Sequence, residues 1–224
     1  MFNKFKKKII ILISIIASFC ISYGVISYVY KYSQKNNHEY INTLDYNLFQ
    51  SGDLIFRKGQ GILGQALFQV DKNAEYSHVG IVKLFNNHPF IIHASTGENF
   101  GDDAIVIIES LEKFLKKEFT NAIAIYRLKN IDAKIGNKVT SIAYKYAQEK
   151  IPFDKEFNIQ TEDSFYCTEL VWRAYLSVGI DLVDGQFSYI KMPFAQKEYL
   201  LTSGLENSPY IKLIYELKLE ENSS

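Results

Sequence analysis

Cys167 is the residue of this sequence best placed to act as a nucleophile. The chain has two cysteines, and the other lies in an apolar run near the N-terminus. After Cys167, apolar residues recur at the spacing of a helix with one buried face, and Gly179 is expected to end that helix. Asp163 or Ser164 is expected to cap its start, which places Cys167 in the first turn, where free N–H groups and the helix dipole favour a thiolate. A cysteine that only fills the core is the alternative interpretation.

Two histidines lie on the two arms of a predicted β-hairpin. Residues 76–85 and 90–94 have the composition and alternation of strands, and Asn86-Asn-His-Pro89 predicts a turn between them. A six-residue connection would place His78 directly opposite His93, with Cβ atoms about 5 Å apart. A two-residue turn would instead pair His93 with Gly80 and make the histidines diagonal neighbours. Both registers keep the two rings on one face of the sheet.

A cysteine at a helix N-terminus that faces two histidines on a sheet can perform nucleophilic acyl transfer. Cys167 would attack a carbonyl carbon, and His78 would take the thiol proton and return it to the leaving group. His93 would hold the ring of His78 in position. The oxyanion would be bound by the backbone N–H of Cys167 and a second donor, for which the hydroxyl of Tyr166 or of another tyrosine is a candidate. We predict no metal and no cofactor.

The first thirty residues predict a membrane anchor. Lysines at positions 4, 6, 7 and 8 precede an uncharged run from Ile9 to Tyr30, which as a helix would span ~33 Å and so cross a bilayer. Positive charge before the run predicts a cytoplasmic N-terminus and places the remainder of the chain outside the cytoplasm. Ser22-Tyr-Gly24 could instead be a signal cleavage site, but the apolar run continues past it, which favours an uncleaved anchor.

Charge and cysteine content narrow the classes of function. Basic and acidic residues are both 25, and because four lysines lie in the first thirty residues, the remainder carries 21 basic and 25 acidic groups. The sequence has no basic patch of the kind that binds nucleic acid, so we expect no nucleic-acid partner. The exported part has a single cysteine, which excludes an intramolecular disulfide and a metal site of paired cysteines. An odd cysteine in an oxidising compartment indicates a reactive thiol or an intermolecular bridge.

We divide the chain into a signal anchor at 1–30, a polar stalk at 31–50, a folded domain at 51–218 and a tail at 219–224. Apolar patterns predict strands within 51–59, 76–85, 90–94, 104–108, 122–127 and 210–215. They predict helices at 62–70, 111–119 and 132–150 before the cysteine helix. The aromatic-rich segment 189–201 is expected to pack over the site.

Five motifs of the folded domain resemble those of the circularly permuted papain-like hydrolases of the NlpC type, in the YiiX-like branch. They are Gly52-Asp-Leu-Ile-Phe, Ser77-His-Val-Gly-Ile, Ile92-His-Ala, Pro152-Phe-Asp and Tyr166-Cys-Thr-Glu-Leu-Val. The resemblance implies an α+β fold in which a small antiparallel sheet or barrel packs on helices. It also implies that Cys167 is the nucleophile, His78 the base and His93 the third polar residue. Asp53 and Glu169 match motif positions that we take as structural.

The resemblance and the predicted anchor together indicate a membrane-tethered thiol hydrolase outside the cytoplasm. The wider group cleaves amide bonds in cell-wall peptides, so we expect a cell-envelope amide as substrate. One alternative is a lipid acyl hydrolase or acyltransferase similar to lecithin retinol acyltransferase. Another is a tethered binding protein that has the fold without the activity.

Overall fold

The computed structural model describes residues 21–24, 27, 44–59, 62–97, 103–116, 120–130, 132–192 and 195–218. The chain divides into two compact units, Met1–Thr43 and Leu44–Ser224. In the first unit, residues 21–24 and 27 are helical, and most of the predicted anchor lies outside the described residues. Within the described ranges, no helix has both the length and the apolar character needed to cross a membrane.

The second unit begins at Leu44, earlier than the predicted domain start at residue 51. Leu44 and Phe49 are buried, and a short 3₁₀ helix at Tyr46–Leu48 lies between them. The guanidinium of Arg127 donates a hydrogen bond of 2.6 Å to the carbonyl of Leu48. The last residues of the predicted stalk are therefore part of the folded unit.

Strands and helices of the second unit follow the predicted order closely. The strands are β1 Leu54–Gly59, β2 His78–Phe85, β3 His88–Ala94, β4 Val106–Ser110, β5 Thr120–Leu128, β6 Ser188–Met192, β7 Ala195–Tyr199 and β8 Ile211–Lys218. The helices are α1 Ile62–Val70, α2 Leu111–Phe114, α3 Ala133–Gln148, α4 Cys167–Leu176 and α5 Thr202–Glu206. The strands β6 and β7 and the short helix α5 were not predicted from the sequence.

The second unit is built around one antiparallel sheet. In the described residues it has six strands in the order β4-β3-β2-β1-β5-β8, and β6 pairs with β7 in a separate hairpin. Side chains from one face of the sheet, such as Leu54, Phe56 and Val79, share a core with Val139 of α3 and Leu170 of α4. Burial of these apolar side chains is the main favourable term for the packing of helices on sheet. The α+β class and the antiparallel sheet packed on helices are thus confirmed.

The hairpin of β2 and β3 uses the shorter of the two predicted connections. Phe85 pairs with His88, so only Asn86 and Asn87 form the turn, with φ of 49° and 64°. Positive φ at both central residues is the geometry of a two-residue hairpin turn, and asparagine tolerates it well. Ile81 pairs with Ile92, and this register continues to Gly80 opposite His93. The two histidines are therefore diagonal neighbours.

Gly80 leaves room beside His93, and we expect the variant Gly80→Ala to be destabilised by about 1–3 kcal/mol with reduced activity. An added Cβ would lie 2.5 Å from Cγ2 of Ile91 and 3.2 Å from Cβ of His93. The control is Gly204→Ala, where the nearest atom is 3.6 Å away and stability should be unchanged or slightly higher. Urea unfolding of both variants measures the difference. Equal midpoints would show that β3 moves aside freely.

Candidate active site

Cys167 is the first residue of α4. Tyr166 occupies the N-cap position without a capping side-chain hydrogen bond, and its carbonyl accepts the N–H of Leu170 at 2.9 Å. The predicted caps, Asp163 and Ser164, are not used, because Phe165 is still extended. The N–H of Phe165 donates to the carbonyl of Pro152 at 3.0 Å and so holds the chain away from the helix until Cys167.

The thiol of Cys167 is buried, with 6% of the residue exposed. Burial raises its pKa to about 11, against the opposing effect of backbone N–H groups of Val79, Thr168 and Cys167 itself and of the Arg57 charge. Burial disfavours the charged form of the group more than the helix N-terminus favours it. The N–H groups at the helix start favour the thiolate, as expected, but burial outweighs them, and at neutral pH the side chain is a thiol.

His78 and His93 are brought into direct contact. Nε2 of His78 and Nδ1 of His93 lie 2.8 Å apart in a hydrogen bond, and the ring centroids are 4.9 Å apart at an angle of 85°. His78 is the first residue of β2, and His93 is fully buried near the end of β3. The predicted pairing of a base and an orienting histidine thus has the required geometry.

The sulfur of Cys167 is close to the backbone N–H of Val79, the residue that follows His78. Among the hydrogen bonds of the described residues, none joins that sulfur to the His78 ring, whose Nδ1 also has no partner there. The structure therefore brings α4 to the start of β2 and leaves Nδ1 of His78 available. Catalytic hydrogen bonds are often long before substrate binds, so this arrangement suits a resting enzyme.

Glu109 is a member of the site that the sequence did not indicate to us. It lies on β4, and its Oε1 is 3.0 Å from Nε2 of His93. In the register of β3 and β4, His93 pairs with Ile107 and Ile91 with Glu109, so Glu109 shares the face of Ile107. A glutamate that ends an apolar strand was the available signal, but only the pairing of β4 with β3 gives it a partner.

Phe114 and Arg57 close the other side of the histidine pair. The Phe114 ring centroid is 5.7 Å from that of His78 and 5.1 Å from that of His93. The Arg57 guanidinium lies 4.6 Å from the same ring and donates a hydrogen bond of 2.7 Å to the Phe114 carbonyl. Burial and then the Arg57 charge hold the pKa of His78 well below its usual value, so the ring is neutral near pH 7.

Tyr166, the candidate oxyanion donor, is buried next to Cys167. Its hydroxyl oxygen accepts the N–H of Leu200 at 2.9 Å, which leaves the phenolic proton free to donate. Burial raises the pKa of this phenol, so the hydroxyl keeps that proton. The contact with Leu200 also fixes the position of the oxygen atom.

Asp53 and Glu169 take part in ion pairs of the kind expected for structural residues. Both oxygens of Asp53 accept hydrogen bonds from Arg127 on β5, at 2.7 and 2.8 Å, and Oδ2 also accepts the N–H of Gln50 at 2.7 Å. Glu169 accepts from Arg173 at 2.7 Å on the same helix. Burial raises the pKa of Glu169 to about 7, despite Arg173.

An apolar cavity of about 190 Å³ opens beside Cys167. Its walls include Leu67 and Val70 of α1, Phe157, Tyr166 and Leu200. Tyr199, Leu200 and Leu201, from the segment predicted to cover the site, all line this space. The nucleophile therefore lies at the wall of a compartment that fits an apolar group.

A sequence model of the family described as permuted papain-like amidase enzymes, YaeF/YiiX, C92 family, matches residues 48–203. The chain belongs to this family. The C92 family is described as a family of amidases, so membership of this family indicates that the chain is an amide-bond hydrolase. The matched range includes each of the four polar side chains described above, Cys167, His78, His93 and Glu109.

Two proteins of Escherichia coli show the same relationship. The uncharacterized protein YiiX of strain K12 is 23% identical over 127 residues, which are 56% of this chain and 57% of that protein. A crystal structure of metalloprotein yiiX from strain O157:H7 matches with a TM-score of 0.61 at 17% identity, over 75% of this chain and 98% of the other. The sequence match thus spans little more than half of the K12 protein, and the structural match shows a shared fold. The predicted YiiX-like branch of the permuted papain-like hydrolases is confirmed.

Proposed function

We propose that this C92-family chain is a membrane-tethered thiol hydrolase that cleaves an amide bond in a cell-envelope substrate. The observation that supports it most directly is the position of Cys167 at the start of α4, with its sulfur close to the backbone N–H of Val79, the residue that follows His78. The ring of His78 is in turn hydrogen-bonded to His93. The predicted anchor at residues 9–30 would keep the site close to wall peptides.

The reaction begins from a neutral thiol and a neutral imidazole. As the sulfur of Cys167 bonds to the carbonyl carbon, the thiol proton passes to Nδ1 of His78 and the carbonyl electrons move to oxygen. The backbone N–H of Cys167 and the Tyr166 hydroxyl donate to that oxyanion. When the C–N bond breaks, the proton on His78 goes to the leaving amine and a thioester remains.

Hydrolysis of the thioester completes the cycle. His78 is neutral again after the amine leaves, and it takes a proton from water as the water oxygen attacks the acyl carbon. Breakage of the C–S bond returns the proton to sulfur, releases a carboxylic acid and restores the thiol. Cys167 and His78 are both neutral at the start of the cycle and again at its end.

The yiiX crystal structure is described as that of a metalloprotein. In the described part of the present chain, no group of three or more His, Cys, Asp or Glu side chains is arranged to hold a metal ion. Both nitrogens of His93 are engaged, one by His78 and one by Glu109. The two nitrogens of His93 are therefore not available as metal ligands, and we assign every step of the reaction to Cys167, His78 and Tyr166.

A lipid acyl hydrolase or acyltransferase is the second candidate, and the apolar cavity favours it. A space of about 190 Å³ lined by Leu67, Val70 and Phe157 fits part of an acyl chain as well as an apolar side chain of a peptide. The two candidates share the nucleophile and differ in the leaving group, which is an amine for one and an alcohol or lysolipid for the other.

Product analysis tests the proposed function. The full-length chain is incubated separately with cell-wall fragments and with phospholipid vesicles, and new amino groups and free fatty acid are both measured. Release of amines that is lost with Cys167→Ala supports the amide reaction. Release of fatty acid without new amines would favour the lipid candidate instead. A lack of either product, with a folded chain, would favour a tethered binding protein.

We expect Tyr166→Phe to lower kcat by about 10²-fold with little change in KM, because the lost hydroxyl donates only to the oxyanion of the transition state. The variant also leaves the buried N–H of Leu200 without its acceptor, at a cost of about 1–3 kcal/mol in stability. The control is Tyr175→Phe, which removes the buried hydroxyl that donates to the Gly52 carbonyl. Equal loss of kcat in both variants, at similar thermal stability, would contradict an oxyanion role.

A further inference from the structure

His78 can act as a general base only in one of its two neutral forms. Its Nε2 is in the hydrogen bond with His93, so the thiol proton must be taken by Nδ1. That requires the proton of the resting ring to be on Nε2. In the opposite tautomer Nδ1 already carries a proton and cannot accept another. The direction of one hydrogen bond therefore decides whether the base is available.

The direction of that bond is set at the far side of His93. Partial burial works to raise the pKa of Glu109. The hydrogen bond with His93, the charge that His93 carries when protonated, and the charges of Arg57 and Lys113 outweigh it, and the net pKa is lowered. An ionised carboxylate only accepts hydrogen bonds, so Nε2 of His93 must donate. Burial, above all, lowers the pKa of His93 too, so its ring is neutral and its Nδ1 must be the acceptor for His78.

We propose that Glu109 is a positioning residue which, through His93, holds His78 in the tautomer with an unprotonated Nδ1. The distances of 3.0 Å from Glu109 to His93 and 2.8 Å from His93 to His78 form a continuous chain of hydrogen bonds across β4, β3 and β2. The chain leads away from Cys167 and ends in a carboxylate that is 12% exposed. The catalytic effect of this arrangement rests on the proposed function. The tautomer of His78 depends only on the hydrogen bonds and does not rest on that function.

Charged residues on β1 and α2 also act on this chain of hydrogen bonds. Arg57 on β1 disfavours protonation of both rings, and Lys113 on α2 favours the ionised form of Glu109. When His78 takes the thiol proton, the carboxylate of Glu109 offsets part of the repulsion from Arg57. The same residue would thus select the resting tautomer and stabilise the imidazolium that forms later.

Nitrogen-15 chemical shifts of the histidine rings test the proposal in the full-length chain. At pH 8 the wild-type His78 ring should carry its proton on Nε2 alone. In Glu109→Gln, whose amide both donates and accepts, the ring should divide between the two tautomers, and kcat should fall by about 10–100-fold at unchanged KM. The matched control is Glu112→Gln, since Glu112 lies three residues away and contacts Tyr46.

Each outcome decides the matter. A His78 ring protonated on Nδ1 in the wild-type chain would overturn the proposal. This measurement needs no variant, so the proposal can be tested even if Glu109→Gln does not fold. An unchanged tautomer in a folded Glu109→Gln chain would also overturn it, and the proposed function would stand. A shifted tautomer in a chain that releases neither amine nor fatty acid would support the role of Glu109 while the proposed hydrolase function fails.

Discussion

Replacing Cys167 with alanine is expected to lower amide hydrolysis by about 10⁴-fold or more, because the thioester cannot form without the sulfur. Stability should change little, since the substitution removes a single buried atom at the first position of α4. The rate of amine release and the midpoint of urea unfolding give the two measurements. A large loss of rate at an unchanged midpoint would establish that the thiol takes part in the chemistry.

The chain offers a matched control for this substitution. Cys20 is the other of its two cysteines, and it lies in the predicted anchor, outside the described residues. Cys20→Ala should leave the rate unchanged. Full activity in Cys167→Ala would rule out the thiol mechanism and leave Cys167 as a packing residue. If the wild-type chain itself shows no turnover, a binding protein becomes the better interpretation of the same fold.

Replacing His78 with alanine is expected to have the second largest effect, a loss of about 10³–10⁴-fold in kcat/KM. The reaction starts from a thiol whose pKa is about 11, so at neutral pH a base is needed to remove its proton. Without His78, hydroxide must do so, and the rate of the variant should rise steadily with pH. His88→Ala is the control, because His88 is an exposed histidine at the start of β3, bonded to the Asn86 carbonyl.

The pH profile of the wild-type chain follows from the same groups. Activity requires neutral His78, and a lowered pKa means that protonation occurs only in more acidic solution. The kcat/KM should therefore fall as pH drops through a midpoint below the usual histidine value of about 6.5. Between that midpoint and the thiol pKa of about 11, the profile should be flat. An acid limb centred above 6.5, or one retained in His78→Ala, would contradict the assignment of His78 as the base.

Local patterns were enough to locate most of the secondary structure. The helix predicted at 62–70 has those bounds, and the one predicted at 132–150 begins at Ala133 and ends at Gln148, just before Pro152. Proline cannot continue a helix, and the spacing of apolar residues indicates which face of the helix will be buried. Both signals depend only on residues that are close together in the sequence. The hairpin β6 and β7 was missed because its residues look only like an aromatic-rich loop in sequence.

The strand register could be narrowed from the sequence but not settled. The residues between β2 and β3 allow a two-residue or a six-residue connection, and both keep His78 and His93 on one face. The protein has the two-residue turn, with positive φ at Asn86 and Asn87. This choice sets Gly80 opposite His93, and the close approach of Ile91 to Gly80 then leaves no space for a side chain. Packing across the two strands, rather than the turn residues alone, fixes the register.

By itself, the sequence determined the kinds of residue that could react and the elements that would carry them. Cys167 at a helix start, two histidines on one hairpin and the motifs of the permuted papain-like hydrolases are all readable from short stretches of chain. These features are local, because caps, turns and apolar periodicity depend on near neighbours.

The tertiary structure alone decided how those residues behave. The sequence favoured a thiolate from the helix dipole, but burial of Cys167 among β2, α4 and the segment after β7 makes the thiol the stable form. Glu109 became part of the site only when β4 paired with β3. Desolvation and hydrogen bonds between distant strands are properties of packing, and the order of residues along the chain does not specify them.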